Sequence, residues 1–112
     1  MIYIVEDDRN SQEIELFALK NSGYQATGFE TAQDFYRALD SRLPELVLLD
    51  IMLPDEDGLA VLRHLRTREQ TQRIPVILVT DTPEGPKERP QGVRAMTFAE
   101  LLNWFAELPA IE

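Results

Sequence analysis

Short, nearly continuous apolar runs at Ile2–Val5, Leu46–Leu49 and Ile74–Thr80 punctuate the chain. Runs of this length and density predict strands buried on both faces. Tyr24–Phe29 alternates only weakly and carries Thr27 and Gly28, which predicts an edge strand. Helical spacing fills the gaps. Asn10 or Ser11 is placed to cap a helix in which Ile14, Phe17 and Ala18 share a face, Leu16 and Leu19 widen the stripe, and Gly23 ends it. Thr31 precedes a second helix with Ala32, Phe35, Tyr36 and Leu39 in register, and Pro44 marks the turn that follows. Leu59, Val61, Leu62 and Leu65 predict a third, stopped by the polar run Thr67–Arg73. Alternation of strand and helix predicts a parallel sheet covered on both faces and joined by right-handed crossovers.

After Thr80 the rhythm changes. Asp81–Arg94 holds Pro83, Gly85, Pro86, Pro90 and Gly92 among charged residues, so an ordinary helix is not expected there. Val93–Met96 can form a short last strand. Thr97-Phe98-Ala99-Glu100 is a capping box opening a helix with Leu101, Leu102, Phe105 and Leu108, which Pro109 stops. The fold expected is α/β, a doubly wound parallel sheet.

A length of 112 residues suits one domain, taken as residues 1–112, with one hydrophobic core. The hydrophobic fraction of 44% and charged fraction of 28% fit a soluble protein, and no apolar run is long enough to span a bilayer. The first residues lack a basic segment and reach Glu6 at once, so no secretory leader is expected and the cytoplasm is the expected location. Cysteine is absent, which excludes disulfides and thiolate sites. A net charge of −9 argues against direct binding to nucleic acid and favours divalent cations or basic protein surfaces.

Two buried runs end in acid: Ile2–Val5 in Glu6-Asp7-Asp8, and Leu46–Leu49 in Asp50. Strands one and three of a doubly wound sheet are commonly adjacent, which would bring Glu6, Asp7 and Asp50 together at the carboxyl edge, where ligands bind in such sheets. Close carboxylates repel and raise a pKa unless a cation joins them, and oxygen-only ligands suit Mg²⁺. A metal-assisted phosphoryl site follows, with Asp50 as nucleophile and the Thr80 hydroxyl as donor to a phosphoryl oxygen.

Val5-Glu6-Asp7-Asp8, Leu48-Leu49-Asp50-Ile51-Met52-Leu53-Pro54, Asp57-Gly58 and Val76-Ile77-Leu78-Val79-Thr80 together resemble the receiver domain of two-component response regulators, of the kind that precedes winged-helix DNA-binding domains. The resemblance is carried by residues 1–80. It implies a five-stranded sheet of order 2-1-3-4-5, flavodoxin- or CheY-like. It further implies Mg²⁺ as cofactor, Asp50 as phosphoacceptor, Glu6 and Asp7 as acids of the metal site, the Met52 backbone carbonyl as a further ligand, and Thr80 as switch hydroxyl. A sensor histidine kinase would be the partner and transcription the output. Such a domain is not an enzyme beyond phosphorylating and dephosphorylating itself at Asp50.

Residues 81–96 depart from the family pattern. Asp81 stands where a small residue is expected, the fourth family helix is expected to be missing, and the final helix, at about 98–108, fits again. Counting back from it puts Arg94-Ala95 where a Lys-Pro pair belongs and Gln91 or Gly92 in place of an aromatic. Arg94 is thus the candidate substitute for the family lysine, although a forked, planar cation reaches differently from an ammonium; Lys87 is the only nearby lysine. Two readings stand: a Mg²⁺-dependent phosphoacceptor, or a phosphorylation-independent interaction module. Self-association, as a homodimer or by exchange of Asp81–Met96 between chains, is expected to be weak or unusual. A haloacid-dehalogenase-like phosphatase would need an acid where Met52 stands, and a flavin phosphate would be repelled by Glu6-Asp7-Asp8. His64 is expected on the surface, away from the acids.

Overall fold

The computed structural model describes residues 1–81, 85, 89–90 and 92–109. Its elements, in chain order, are β1 (Ile2–Val5), α1 (Arg9–Asn21), β2 (Ala26–Phe29), α2 (Ala32–Ser41), β3 (Leu46–Asp50), α3 (Gly58–Thr67), β4 (Val76–Thr80), β5 (Arg94–Thr97) and α4 (Phe98–Glu107). All strand pairs are parallel. They form one sheet of order β2-β1-β3-β4-β5. β2 lies at one edge of the sheet, as the weak pattern there predicts, and β5 at the other.

The continuous apolar runs have a direct cause. Side chains alternate across a strand, so a strand covered on both sides needs apolar residues at every position. Tyr3, Val5, Val47, Leu49 and Leu78 pack with Phe35, Leu39, Leu62 and Leu65 of α2 and α3. Ile2, Ile4, Leu48, Ile77 and Met96 pack with Leu19, Leu101 and Phe105 of α1 and α4. Among the described residues no helix is long and apolar enough to cross a membrane.

Helix ends follow the capping chemistry with one adjustment. Thr31 caps α2, and Thr97 with Glu100 forms the complete capping box of α4. The cap of α1 is Asp8, whose carboxylate accepts from the Ser11 N–H and hydroxyl, rather than Asn10 or Ser11. A charged acceptor satisfies the first-turn donors and complements the helix dipole.

The buried face of α1 also differs from the expected stripe. Ile14 is 47% and Phe17 73% exposed, whereas Glu15 and Leu19 are each 1% exposed. A turn of the helix by one position exchanges an apolar stripe for one carrying a carboxyl group. Between β4 and β5 none of the described residues is helical, in keeping with the proline and glycine content there. Lys87 and Gln91 lie outside the described residues.

Candidate functional site

The register sets the site. Glu6 follows the last residue of β1, Asp50 ends β3, and β1 and β3 pair directly, with Val5 opposite Leu49. Glu6 and Asp50 therefore continue the rows of Ile4 and Leu48 and project on the side covered by α1 and α4. Asp7 follows on the same loop. One carboxylate oxygen from each of Glu6, Asp7 and Asp50 lies within 4.8 Å of the others. Glu6 is buried, Asp50 half-buried and Asp7 exposed, so the group grades from the interior to solvent.

Three carboxyls this close cannot all carry charge without a cation. Burial raises the Glu6 pKa to about 9, with Asp50, Glu15 and Asp7 adding to the shift. Its Oε2 is buried without a hydrogen-bond partner. A fourth carboxyl, Glu15, lies close enough for its charge to be felt at the group. Glu15 of α1 has both oxygens buried and unpartnered, and burial, then the Asp50 charge, pushes its pKa up to about 8. Among the described residues no basic side chain forms an ion pair with Glu6, Asp7, Glu15 or Asp50.

The Asp50 loop is closed on itself. The Met52 N–H donates to Asp50 Oδ1 at 3.1 Å, Met52 bridges Asp57, and the Gly58 N–H donates to the Ile51 carbonyl at 2.7 Å. A side chain at residue 58 would collide with this turn, because a Cβ there would stand 2.4 Å from the Asp50 carbonyl oxygen. The glycine is needed for close approach, not for an unusual dihedral. On the other side, the Gln12 side chain donates to the Glu6 carbonyl at 2.9 Å in the space that Gly28 leaves beside it.

Beside Asp50 an open cleft of about 190 Å³ is lined by Ile51, Met52, Val79, Thr80, Asp81 and Gly85. Thr80, at the end of β4, reaches this cleft, and so does Asp81, which adds a negative charge to it. Arg94 does not join the group. It pairs with Ile77, two residues before the row in which Asp50, Val79 and Met96 lie side by side, and its guanidinium carbon stands 6.0 Å from the centre of the Trp104 ring. Counting back from the last helix aligns Arg94 with the family lysine, but the strand register leaves it short of the acid edge. His64 is exposed on α3, beside Glu56 and Tyr36.

Gln12, Glu15 and Gly58 were not singled out as site residues by the sequence. A signal for Glu15 exists in retrospect: it stands four residues before the buried Leu19, a polar residue where the inward face of α1 wants an apolar one.

Comparison with known proteins gives this geometry a family. Residues 2–98 match the family model described as response regulator receiver domain. The chain is 34% identical over 79 residues to the transcriptional regulatory protein GltR of Pseudomonas aeruginosa, covering 70% of this chain and 33% of that protein. It is likewise 34% identical over 79 residues to the phosphate regulon transcriptional regulatory protein PhoB of Escherichia coli, covering 70% of this chain and 34% of the relative. The chain thus spans about a third of the length of the curated relatives it matches. Among solved structures, the N-terminal domain of a response regulator receiver protein from Methanoculleus marisnigri superposes with a TM-score of 0.73 at 32% identity, over 78% of this chain and 71% of that one.

Proposed function

This chain belongs to the response regulator receiver family, and on that premise we propose that Asp50 accepts a phosphoryl group, with Mg²⁺, from the phosphohistidine of a sensor histidine kinase. The observation that carries the proposal is the convergence of Glu6, Asp7 and Asp50 at the edge where β1 and β3 end. The family is one of signalling domains rather than metabolic enzymes. For the whole protein, a cytoplasmic regulator of transcription is the reading that the relatives favour.

The donor set fits the cation. All candidate ligands are oxygens, and the buried Glu6 Oε2 lacks a partner that a cation would supply. Glu6, Asp7, Asp50 and the Met52 carbonyl would hold Mg²⁺, whose charge when bound screens the repulsion between a carboxylate and an incoming phosphoryl group.

The protein's own groups carry the transfer. An Asp50 carboxylate oxygen forms a bond to phosphorus while the donor's phosphorus–nitrogen bond breaks, and the electron pair leaves with the imidazole. An acyl phosphate remains on Asp50. The Met52 N–H holds Oδ1 at 3.1 Å and so orients the carboxylate, leaving the other oxygen to attack. The Thr80 hydroxyl, on the rim of the same cleft, donates to a phosphoryl oxygen once the product forms, which makes it the switch residue.

Incubation with a labelled small phosphoramidate, with Mg²⁺ or with a chelator, tests this reading. Mg²⁺-dependent label that hydroxylamine releases, as it does from an acyl phosphate, is expected. Absence of label under all conditions contradicts it.

A second reading, a phosphorylation-independent interaction module, is favoured by the negative charge of Asp81 in the cleft and by Arg94 standing away from it. Self-association, including exchange of the Asp81–Met96 segment, belongs to that reading. Sedimentation before and after phosphodonor treatment separates the two: a shift on treatment supports the phosphoacceptor, and an unchanged dimer supports the module.

A further inference from the structure

The loop that follows Asp50 is tied down at its far end by groups outside the acid cluster. Asp55 accepts the Ala32 N–H on one carboxylate oxygen and the Gln33 N–H on the other, both at 3.0 Å. These are the first two N–H groups of α2, which an isolated helix would leave without partners. Thr31 satisfies the next, accepting from the Asp34 N–H at 3.1 Å. The neighbour of Asp55 makes a second tie, since Glu56 accepts the Tyr36 hydroxyl with His64 Nε2 3.8 Å away. Both ties end on α2, which is itself fixed by the buried Ala32, Phe35 and Leu39.

From this geometry we infer that Asp55 is a positioning residue for the phosphoacceptor loop, acting through the loop backbone on the Met52 amide and carbonyl. The inference rests on the reading of Asp50 as phosphoacceptor.

The near end of the loop is held by the Met52–Asp57 bridge and the Gly58–Ile51 hydrogen bond, so Met52 is fixed relative to Asp57 and Gly58. That closed turn can still tilt as a unit about its junction with β3 unless its tip is held. Asp55 holds the tip, and a carboxylate accepting two N–H groups at a helix N-terminus is a directional, charge-assisted anchor. Its pKa lies below the usual carboxylate range, chiefly through the Ala32 N–H, so the anchor keeps its charge at neutral pH. Only Leu53 and Pro54 separate Met52 from Asp55, and a tilt at the tip is transmitted to the Met52 N–H that holds Asp50 Oδ1.

A role confined to capping α2 makes a different prediction, and Thr31 supplies the control. Thr31→Ala removes a capping bond from the same turn of the same helix without touching the loop. Mg²⁺ affinity and phosphorylation rate at saturating Mg²⁺ are measured for wild type, Asp55→Ala, Asp55→Asn and Thr31→Ala, with thermal unfolding alongside. Asp55→Ala is expected to weaken Mg²⁺ about tenfold, the loss typical when a group supporting metal ligands is removed. Asp55→Asn, which keeps one acceptor oxygen, recovers part of the affinity. Thr31→Ala lowers the melting temperature but leaves Mg²⁺ affinity unchanged. Equal Mg²⁺ affinities for Asp55→Ala and Thr31→Ala overturn the inference.

Hydrogen exchange at the Met52 amide keeps the inference testable if the wild type takes up neither Mg²⁺ nor phosphoryl. That result would defeat the proposed function alone. Faster Met52 exchange in Asp55→Ala but not in Thr31→Ala would still support the anchor, and equal exchange in the two would defeat it.

Discussion

The backbone of Gly58, at the start of α3, sits against the carbonyl of Asp50 so closely that a Cβ would stand 2.4 Å from that oxygen and 2.7 Å from the Ile51 Cα. Both contacts are to backbone, which cannot swing aside as a side chain can. Gly58→Ala is therefore expected to destabilise the fold by about 1–3 kcal/mol, the usual range for overpacking, and to displace the carbonyl end of β3. Phosphorylation at Asp50 should slow by more than the loss of folded protein explains. Chemical denaturation and phosphorylation kinetics on the same preparation check both halves.

Glu15 is a buried carboxyl without a partner, and its raised pKa carries a sign for stability. The folded state binds a proton more tightly than the unfolded one, whose carboxyl has the ordinary value of 4.5. Below that value the group adds no penalty. As pH rises from there to about 8, folding becomes less favourable, and above that range the penalty stays constant at the order of a few kcal/mol. Glu15→Leu should flatten this slope and stabilise the protein at pH 8 by about 1–3 kcal/mol, as replacement of an uncompensated buried polar group does. Urea denaturation from pH 5 to 9 measures the effect, and an unchanged slope in the variant contradicts it.

Glu6 carries the same sign, with a folded pKa of about 9, but there the proton competes with Mg²⁺. Binding of the cation must release the proton, so affinity should rise by up to about tenfold per pH unit from neutrality toward that value. Calorimetric titration in two buffers of different ionisation enthalpy counts the protons released. Glu6→Gln should abolish both the proton release and the pH dependence.

Arg94 lies over the Trp104 ring and away from the Asp50 row. Arg94→Ala is expected to cost about 0.5–1 kcal/mol of stability through the lost cation–π contact. The rate of phosphorylation should be unchanged, as a residue outside the site predicts. A large loss of phosphorylation with the fold intact would show that the guanidinium does reach the site.

The strands were legible because burial on two faces leaves a one-dimensional trace: β1 runs from Ile2 to Val5 in the pattern and in the structure alike. Glu6, Asp7 and Asp50 were legible for a related reason, since a strand end at the carboxyl edge is both a sequence landmark and a place in space. Helix rotation was not. Ile14 and Phe17 outweighed Glu15 in any apolar count, yet α1 turns Glu15 inward, because packing beside Leu19 and the Gln12 bond to the Glu6 carbonyl fix its rotation. The place of Arg94 relative to the acids was not legible either, because counting along the chain does not reveal the register of β5 on β4 that decides it. The anchor of Asp55 on α2 joins residues more than twenty apart, and nothing in the local pattern of either segment announces it.

The most direct test of the account is the intact mass of the full chain after incubation with Mg²⁺ and a small phosphodonor, compared with Asp50→Asn treated identically. The account predicts that the wild type gains the mass of one phosphoryl group and that Asp50→Asn gains none. An equal gain in both proteins, or no gain in the wild type, would contradict it.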